Sequence, residues 1–123
     1  MIKFRYTDSL TTQAVQLFFD KFRSGQLTPY WLSQPEPEPH NGLIVDLVAL
    51  NLLKTIQSSA DADVLVLFYD QDSGASMALM PLWRELATTL SSVEGLTVAR
   101  FDASQNELPE LGLEGYPTVM LYT

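Results

Sequence analysis

The stretch that decides the fold runs from Val64 to Pro81 and reads VLVLFYDQDSGASMALMP. Its first six residues are apolar and rich in β-forming side chains, which is typical of a strand covered on both faces. A polar turn follows, and residues 76–90 have the composition of a helix that Pro81 should kink. The stretch therefore predicts a buried strand, a tight turn and a helix in succession.

Similar elements alternate on both sides of this stretch. Short apolar runs rich in β-formers predict strands over residues 44–48, 96–101 and 119–122. A helix is predicted over residues 49–58 and a short helix over 107–111, and Met120 in the last strand is expected to pack in the core. Because strands and helices alternate, the sequence predicts an α/β domain around a mixed, mostly parallel sheet.

The N-terminal part differs in pattern from the rest. Residues 2–7 alternate and are predicted to form a strand, and apolar residues at helical spacing predict an amphipathic helix over 11–23. Residues 26–42 contain four of the seven prolines, at positions 29, 35, 37 and 39, and are predicted to be an extended linker. The last of the three segments, residues 43–123, is the predicted α/β domain.

Composition excludes several classes of function. The chain has 123 residues, 46% hydrophobic and 18% charged, with a net charge of −8. An acidic chain without a basic run argues against nucleic acid and against an anionic membrane surface. No apolar run approaches the roughly 18 residues that would cross a bilayer, and the N-terminus is too polar for a signal peptide. The sequence stops inside the last predicted strand, which leaves open whether it is a fragment.

The order of several local motifs resembles the thioredoxin-like domain of the protein disulfide isomerase family. Phe68-Tyr69 precedes the turn, Gly74 lies inside it, Pro81 follows in the helix, and Gly115-Tyr-Pro-Thr118 leads into the last strand. Residues 1–25 resemble the last strand and helix of a preceding non-catalytic domain in that family. Compared with the thioredoxin-like domains of that family, the domain at 43–123 lacks the final strand and helix. Residues 1–25 are expected to fill that vacancy, in the same chain or by exchange, or to dock on a partner.

The resemblance implies a redox site whose chemistry has been lost. Family members carry Cys-Gly-His-Cys in the turn, whereas this chain has no cysteine. A serine hydroxyl cannot act as a thiolate, and two serines cannot form a disulfide. Leu67 replaces the buried carboxylate of the family, and Asp72 replaces its usual tryptophan. The four positions of the degenerate motif are Ser73, Gly74, Ala75 and Ser76.

The resemblance also implies a peptide-binding surface. The bond before Pro117 is expected to be cis and to face the serine turn, and the family pairs an extended segment with the backbone there. The candidate peptide-binding residues are therefore Tyr116, Pro117 and Ser73, the alternative for Pro117 being a purely structural turn. Ser73 is interpreted as a helix cap rather than a hydrolytic nucleophile, because the single histidine, His40, lies in the linker.

The predicted function is a redox-inactive, disulfide-isomerase-like thioredoxin domain that binds peptides or proteins, in the manner of a chaperone. The alternatives are a structural scaffold subunit of a larger assembly and a Cys→Ser variant of an active isomerase. No enzyme activity, cofactor or metal is expected. The expected partners are an unfolded peptide or another protein, and the resemblance implies the lumen of the endoplasmic reticulum.

Overall fold

A computed structural model describes residues 2–39, 41–58 and 61–123. The chain divides into two compact units, one extending to Trp31 and the other comprising Leu32–Thr123. The first unit contains the helix α1, and the second contains all four strands. In chain order the elements are α1 (Thr12–Arg23), β1 (Val45–Leu47), α2 (Leu52–Ser58), β2 (Asp63–Tyr69), α3 (Gly74–Leu90), β3 (Leu96–Asp102), a 3-10 turn (Pro109–Leu111) and β4 (Thr118–Tyr122).

The four strands form one sheet in the order β1-β3-β2-β4. β3 is parallel to both β1 and β2, whereas β4 runs antiparallel to β2. Successive side chains along β2 point to opposite faces of the sheet. This arrangement confirms the predicted α/β fold with a mixed, mostly parallel sheet.

Each face of the sheet has its own core. Leu67 of β2 packs with α3, whereas Val64, Val66 and Phe68 of the same strand pack with α2. The second group also includes Phe101, whose ring centroid lies 5.4 Å from that of Phe68. Because alternate residues of β2 are buried on opposite faces, the strand is continuously apolar, as its sequence indicates.

α3 begins at the serine turn and continues through Pro81 to Leu90 as one helix. Trp83 is 4% exposed and its indole N–H donates a hydrogen bond to the Ala99 carbonyl over 3.1 Å. This bond joins the middle of α3 to β3 while the ring fills the core. The helix is thus held against the sheet from which the serine turn emerges.

The prediction of a strand over residues 2–7 is wrong. The structure assigns no strand there, because strand pairing requires a neighbouring ladder and the first unit contains no other strand among its described residues. Aromatic contacts to α1 hold the segment instead. Phe4 packs edge-on against Phe22, with ring centroids 5.2 Å apart, and Tyr6 packs similarly against Phe18 at 5.3 Å.

The second unit begins at Leu32, inside the predicted linker. The amide side chain of Asn106, which is 3% exposed, accepts hydrogen bonds from the backbone N–H groups of Gln34 and Ala49 and donates one to the Asp102 carbonyl. Glu107 adds two bonds to Leu32, one through its backbone N–H at 2.7 Å and one through its carboxylate at 2.9 Å. Residues 32–34, in the middle of the predicted linker, are therefore part of the second unit.

Candidate functional site

The serine turn is capped by its own first serine. The Ser73 hydroxyl accepts a hydrogen bond from the Ser76 N–H over 3.4 Å, and Ser73 has the extended backbone of an N-cap residue. Its own N–H donates to the Asp70 carbonyl over 3.0 Å. These bonds confirm the interpretation of Ser73 as a helix cap. Gly74 and Ala75 follow it as exposed residues in the first turn of α3.

Ser76 holds the same turn from inside. It has no exposed surface, and its hydroxyl oxygen accepts a hydrogen bond from the Asp70 N–H over 3.2 Å. The Asp70 carboxylate in turn accepts a bond from the Asp72 N–H over 2.9 Å. The two serines and Asp70 therefore form a closed network that satisfies the backbone of the turn.

Leu67 is fully buried, and an unexpected ion pair lies beside it. In the register of the sheet Leu67 is opposite Arg100 of β3, and Arg100 is opposite Asp46 of β1. The Arg100 Nε–H donates to the Asp46 carboxylate over 2.5 Å. This hydrogen bond raises the pKa of Arg100, while its partial burial acts in the opposite direction. The carboxylate that pairs with this cation therefore comes from the neighbouring strand and not from position 67.

The Tyr116–Pro117 bond is cis, as predicted. Pro117 precedes β4, whose Thr118 is opposite Phe68 near the end of β2. Since β2 leads directly into the serine turn, Pro117 and Ser73 lie at the same end of the sheet. Tyr116 is 41% exposed and borders a cavity of about 300 Å³. The cavity is otherwise lined mainly by the β3–β4 connection, including Leu108, Leu111 and Leu113.

Tyr69 closes β2 at this same end. Burial raises its pKa above the ordinary value of 10.0, and the negative charge of Asp102 raises it further. Asp102 is 5% exposed, and its carboxylate accepts hydrogen bonds from the Ser104 N–H and hydroxyl. Tyr69 therefore remains a neutral phenol at physiological pH.

Three polar residues of this unit were not singled out from the sequence. They are Asp46, Arg100 and Asn106. Asp46 and Arg100 could have been recognised from the sequence, because each is a charged residue within a strand that is otherwise expected to be buried. Asn106 had no such signal, since asparagine is common in connecting segments.

His40, the histidine weighed as a possible base for Ser73, lies outside the described residues. Within the described ranges, no group of three or more histidine, cysteine, aspartate or glutamate side chains is arranged to hold a metal ion. No helix in the described part of the chain is both long and apolar enough to cross a membrane.

Known proteins resemble this chain in sequence and in fold. A protein disulfide-isomerase of Triticum aestivum is 38% identical over 100 residues, covering 80% of this chain and 19% of that protein. A protein disulfide-isomerase of Humicola insolens is 32% identical over 116 residues, covering 92% of this chain and 23% of that protein. No family model matches.

Solved structures agree on the fold. The J-Trx1 fragment of ERdj5 superposes with a TM-score of 0.58 at 20% identity, covering 65% of this chain and 39% of that one. Thioredoxin f from spinach chloroplast gives 0.55 at 18% identity, covering 63% of this chain and 64% of that one. The chain contains a thioredoxin-like domain of the protein disulfide-isomerase family.

This disulfide-isomerase-like chain spans about a fifth of the length of the curated relatives quoted above, 19% and 23%. It has no cysteine, so it has no thiol of its own with which to exchange a disulfide. In the disulfide-isomerase-like domain Ser73 and Ser76 both take part in the hydrogen bonds of the turn at the start of α3.

Proposed function

We propose that this chain is a redox-inactive binding domain that holds an extended peptide segment at the end of the sheet formed by the serine turn and Tyr116–Pro117. The observation that carries the proposal is the position of Tyr116. Its ring is exposed beside an open cavity, at the end of the sheet where family resemblance places substrate. We also propose that the domain binds unfolded protein in the manner of a chaperone. Its proposed location is the lumen of the endoplasmic reticulum.

The surroundings of Tyr116 support recognition of an apolar side chain. Leucines 108, 111 and 113 line the neighbouring cavity and also pack against the core around Phe68. A half-exposed aromatic ring beside such a cavity can cover an apolar side chain of a peptide and exclude water from it. The serine turn lies at the same end of the sheet and satisfies its own backbone through the bonds of Ser73 and Ser76.

The absence of redox chemistry also favours binding over catalysis. The motif lacks thiols, the position of the buried carboxylate is Leu67, and the cation beside it is paired with Asp46. Hydrolytic chemistry has no support either, because the Ser73 hydroxyl caps α3. We therefore propose that the domain is not an enzyme.

The proposal is tested by titrating the chain with a fluorescently labelled, cysteine-free unstructured peptide that contains leucine and phenylalanine. We expect saturable binding, with the affinity reduced about tenfold by Tyr116→Ala, which corresponds to about 1.4 kcal/mol. Tyr30→Ala is the matched control, since it removes a tyrosine from the first unit. Equal affinities for both variants, or no binding to the unmodified chain, would refute the proposed site.

A structural scaffold subunit is the second candidate. It is favoured by exposed apolar surface in the first unit, where Val15, Leu17, Phe19 and Phe22 of α1 are each 44–55% exposed. Such a surface suits a permanent protein contact. The two functions differ in the lifetime of the complex with the partner. A scaffold would copurify with its partner in a fixed stoichiometry, whereas a peptide-binding domain would exchange its partner.

A further inference from the structure

A second cavity lies along the β1 edge of the sheet, apart from the serine turn. Its volume is about 280 Å³, and it is lined by Leu43, Ile44, Arg84, Thr88 and Arg100. Arg84 and Thr88 lie one turn apart on α3, and Arg100 reaches the cavity from β3. Leu43 and Ile44, which precede β1, form an apolar wall. The cavity is therefore lined by two arginines and an aliphatic surface.

The distribution of charge makes this combination unusual for the molecule. The sequence from residue 32 to residue 123 contains 13 aspartates and glutamates but only three lysines and arginines, namely Lys54, Arg84 and Arg100. Two of these three cations line one cavity, and no acidic side chain is among its lining residues. The charge of Arg100 is balanced by Asp46, so Arg84 supplies the positive charge of this cavity.

The two arginines differ in how many of their N–H groups are already engaged within the protein. Arg100 uses its Nε–H for Asp46, and one terminal nitrogen lies 3.6 Å from the Met80 sulfur. Arg84 is exposed and forms no ion pair with any other described residue. The Thr88 hydroxyl donates to the Arg84 carbonyl over 3.1 Å, so it contributes to the wall of the cavity rather than donating to a ligand.

We propose that this cavity binds a small monocarboxylate that carries a short aliphatic chain. The planar guanidinium of Arg84 can donate two parallel hydrogen bonds to a carboxylate, and Arg100 adds positive charge. Leu43 and Ile44 cover the aliphatic chain. A single negative charge suits the site better than the higher charge of a phosphate, because the carboxylate of Asp46 is bound to Arg100 nearby. The inference is independent of the proposed peptide site.

The test is an NMR titration of the intact chain with hexanoate, following the side-chain Nε–H signals of Arg84 and Arg100. We expect both signals to shift together and to saturate. Arg84→Gln should weaken hexanoate binding about tenfold, because the freely available guanidinium is removed. Lys54→Gln removes the third cation of this unit without touching the cavity and should leave the affinity unchanged.

Asp46→Asn provides a test in the opposite direction. It removes the carboxylate that competes for Arg100, so hexanoate should bind more tightly than to the unmodified chain. Hexylammonium, with the same chain and opposite charge, should not bind. Equal weakening by Arg84→Gln and Lys54→Gln, or tighter binding of inorganic phosphate than of hexanoate, would overturn the proposal.

Discussion

At the scale of single residues, Ser76 shows how a buried hydroxyl group holds a turn. The side chain is fully buried, and its hydroxyl oxygen accepts the Asp70 N–H. A buried donor that loses its acceptor costs about 1–3 kcal/mol. Serine at this position therefore stabilises the turn through a hydrogen bond that an apolar side chain cannot replace.

We therefore predict that Ser76→Ala lowers the free energy of unfolding by about 1–3 kcal/mol in a urea melt, because the Asp70 N–H is left without its acceptor. Ser92→Ala, at an exposed position after α3, serves as the control and should change stability by less than about 0.5 kcal/mol. Equal effects of the two substitutions would show that the bond to Asp70 does not stabilise the turn.

A second prediction at this scale concerns redox activity. The unmodified chain should not reduce insulin, since it has no thiol. The double variant Ser73→Cys/Ser76→Cys should be much slower than an ordinary disulfide isomerase, because Leu67 offers no proton acceptor and Ala75 no charge to lower a thiol pKa.

Adding Ala75→His to the double variant should increase its rate, since an imidazolium beside the first thiol favours the thiolate. The measurement is insulin-reduction turnover under matched conditions. Full activity of the double variant without this third change would contradict the importance assigned to positions 67 and 75.

At the scale of elements, Asn106 joins three segments that are distant in sequence. Its amide connects the segment before β1, the loop after β1 and the end of β3 through Gln34, Ala49 and Asp102. Because the side chain is 3% exposed, its bonds are shielded from water. Gln34, within the proline-rich segment, is thereby attached to the sheet.

We predict that Asn106→Ala lowers the free energy of unfolding by about 3 kcal/mol, since it leaves several buried backbone groups without partners. Hydrogen exchange should accelerate first at the backbone N–H groups of Gln34 and Ala49, whose bonds to Asn106 are lost. Asn41→Ala, at an exposed position, should have little effect on either measurement. Unchanged exchange at Gln34 and Ala49 in the Asn106 variant would contradict the anchoring role.

At the scale of the whole molecule, the partly buried tyrosines Tyr69 and Tyr122 make stability depend on pH in the alkaline range. Burial raises the pKa of Tyr69 and of Tyr122 above the ordinary value of 10.0. The unfolded chain therefore loses these protons at lower pH than the folded chain does. The stability that this difference contributes is fully present below about pH 10 and is lost as the pH rises through the folded values.

Urea melts should accordingly show a falling unfolding midpoint above about pH 10, and Tyr69→Phe should reduce the slope of that fall. The same melts between pH 7 and pH 8 serve as the control, since neither state of these phenols titrates there. A slope that Tyr69→Phe leaves unchanged would show that another group causes the loss.

The first unit supports a second prediction at this scale. None of the residues of α1 is buried, although the helix carries four large apolar side chains that are exposed. A helix with one extended segment buries too little surface to offset its ordering entropy. We propose that these residues complete the sheet domain of the same or another chain, and deletion of residues 1–25 should then lower the urea midpoint sharply. An unchanged midpoint and slope would assign the segment to a different partner.

The sequence by itself determined the order of the main elements and the absence of thiols. Strand, turn and helix around residues 64–90 follow from local periodicity, and the serine cap follows from local hydrogen bonding within the turn. Local pattern misled at residues 2–7, where alternation predicts a strand that has no neighbour to pair with. It also misled at Met120, which is 40% exposed because β4 is the outermost strand of the described sheet.

Only the tertiary structure decided which polar groups meet. Asp46 and Arg100 are 54 positions apart, and Asn106 and Gln34 are 72 apart. Their contacts depend on strand order and register, which bring β1 beside β3 and the proline-rich segment beside the end of β3. Local propensity acts over a few residues, whereas these hydrogen bonds form only once the whole sheet has been assembled.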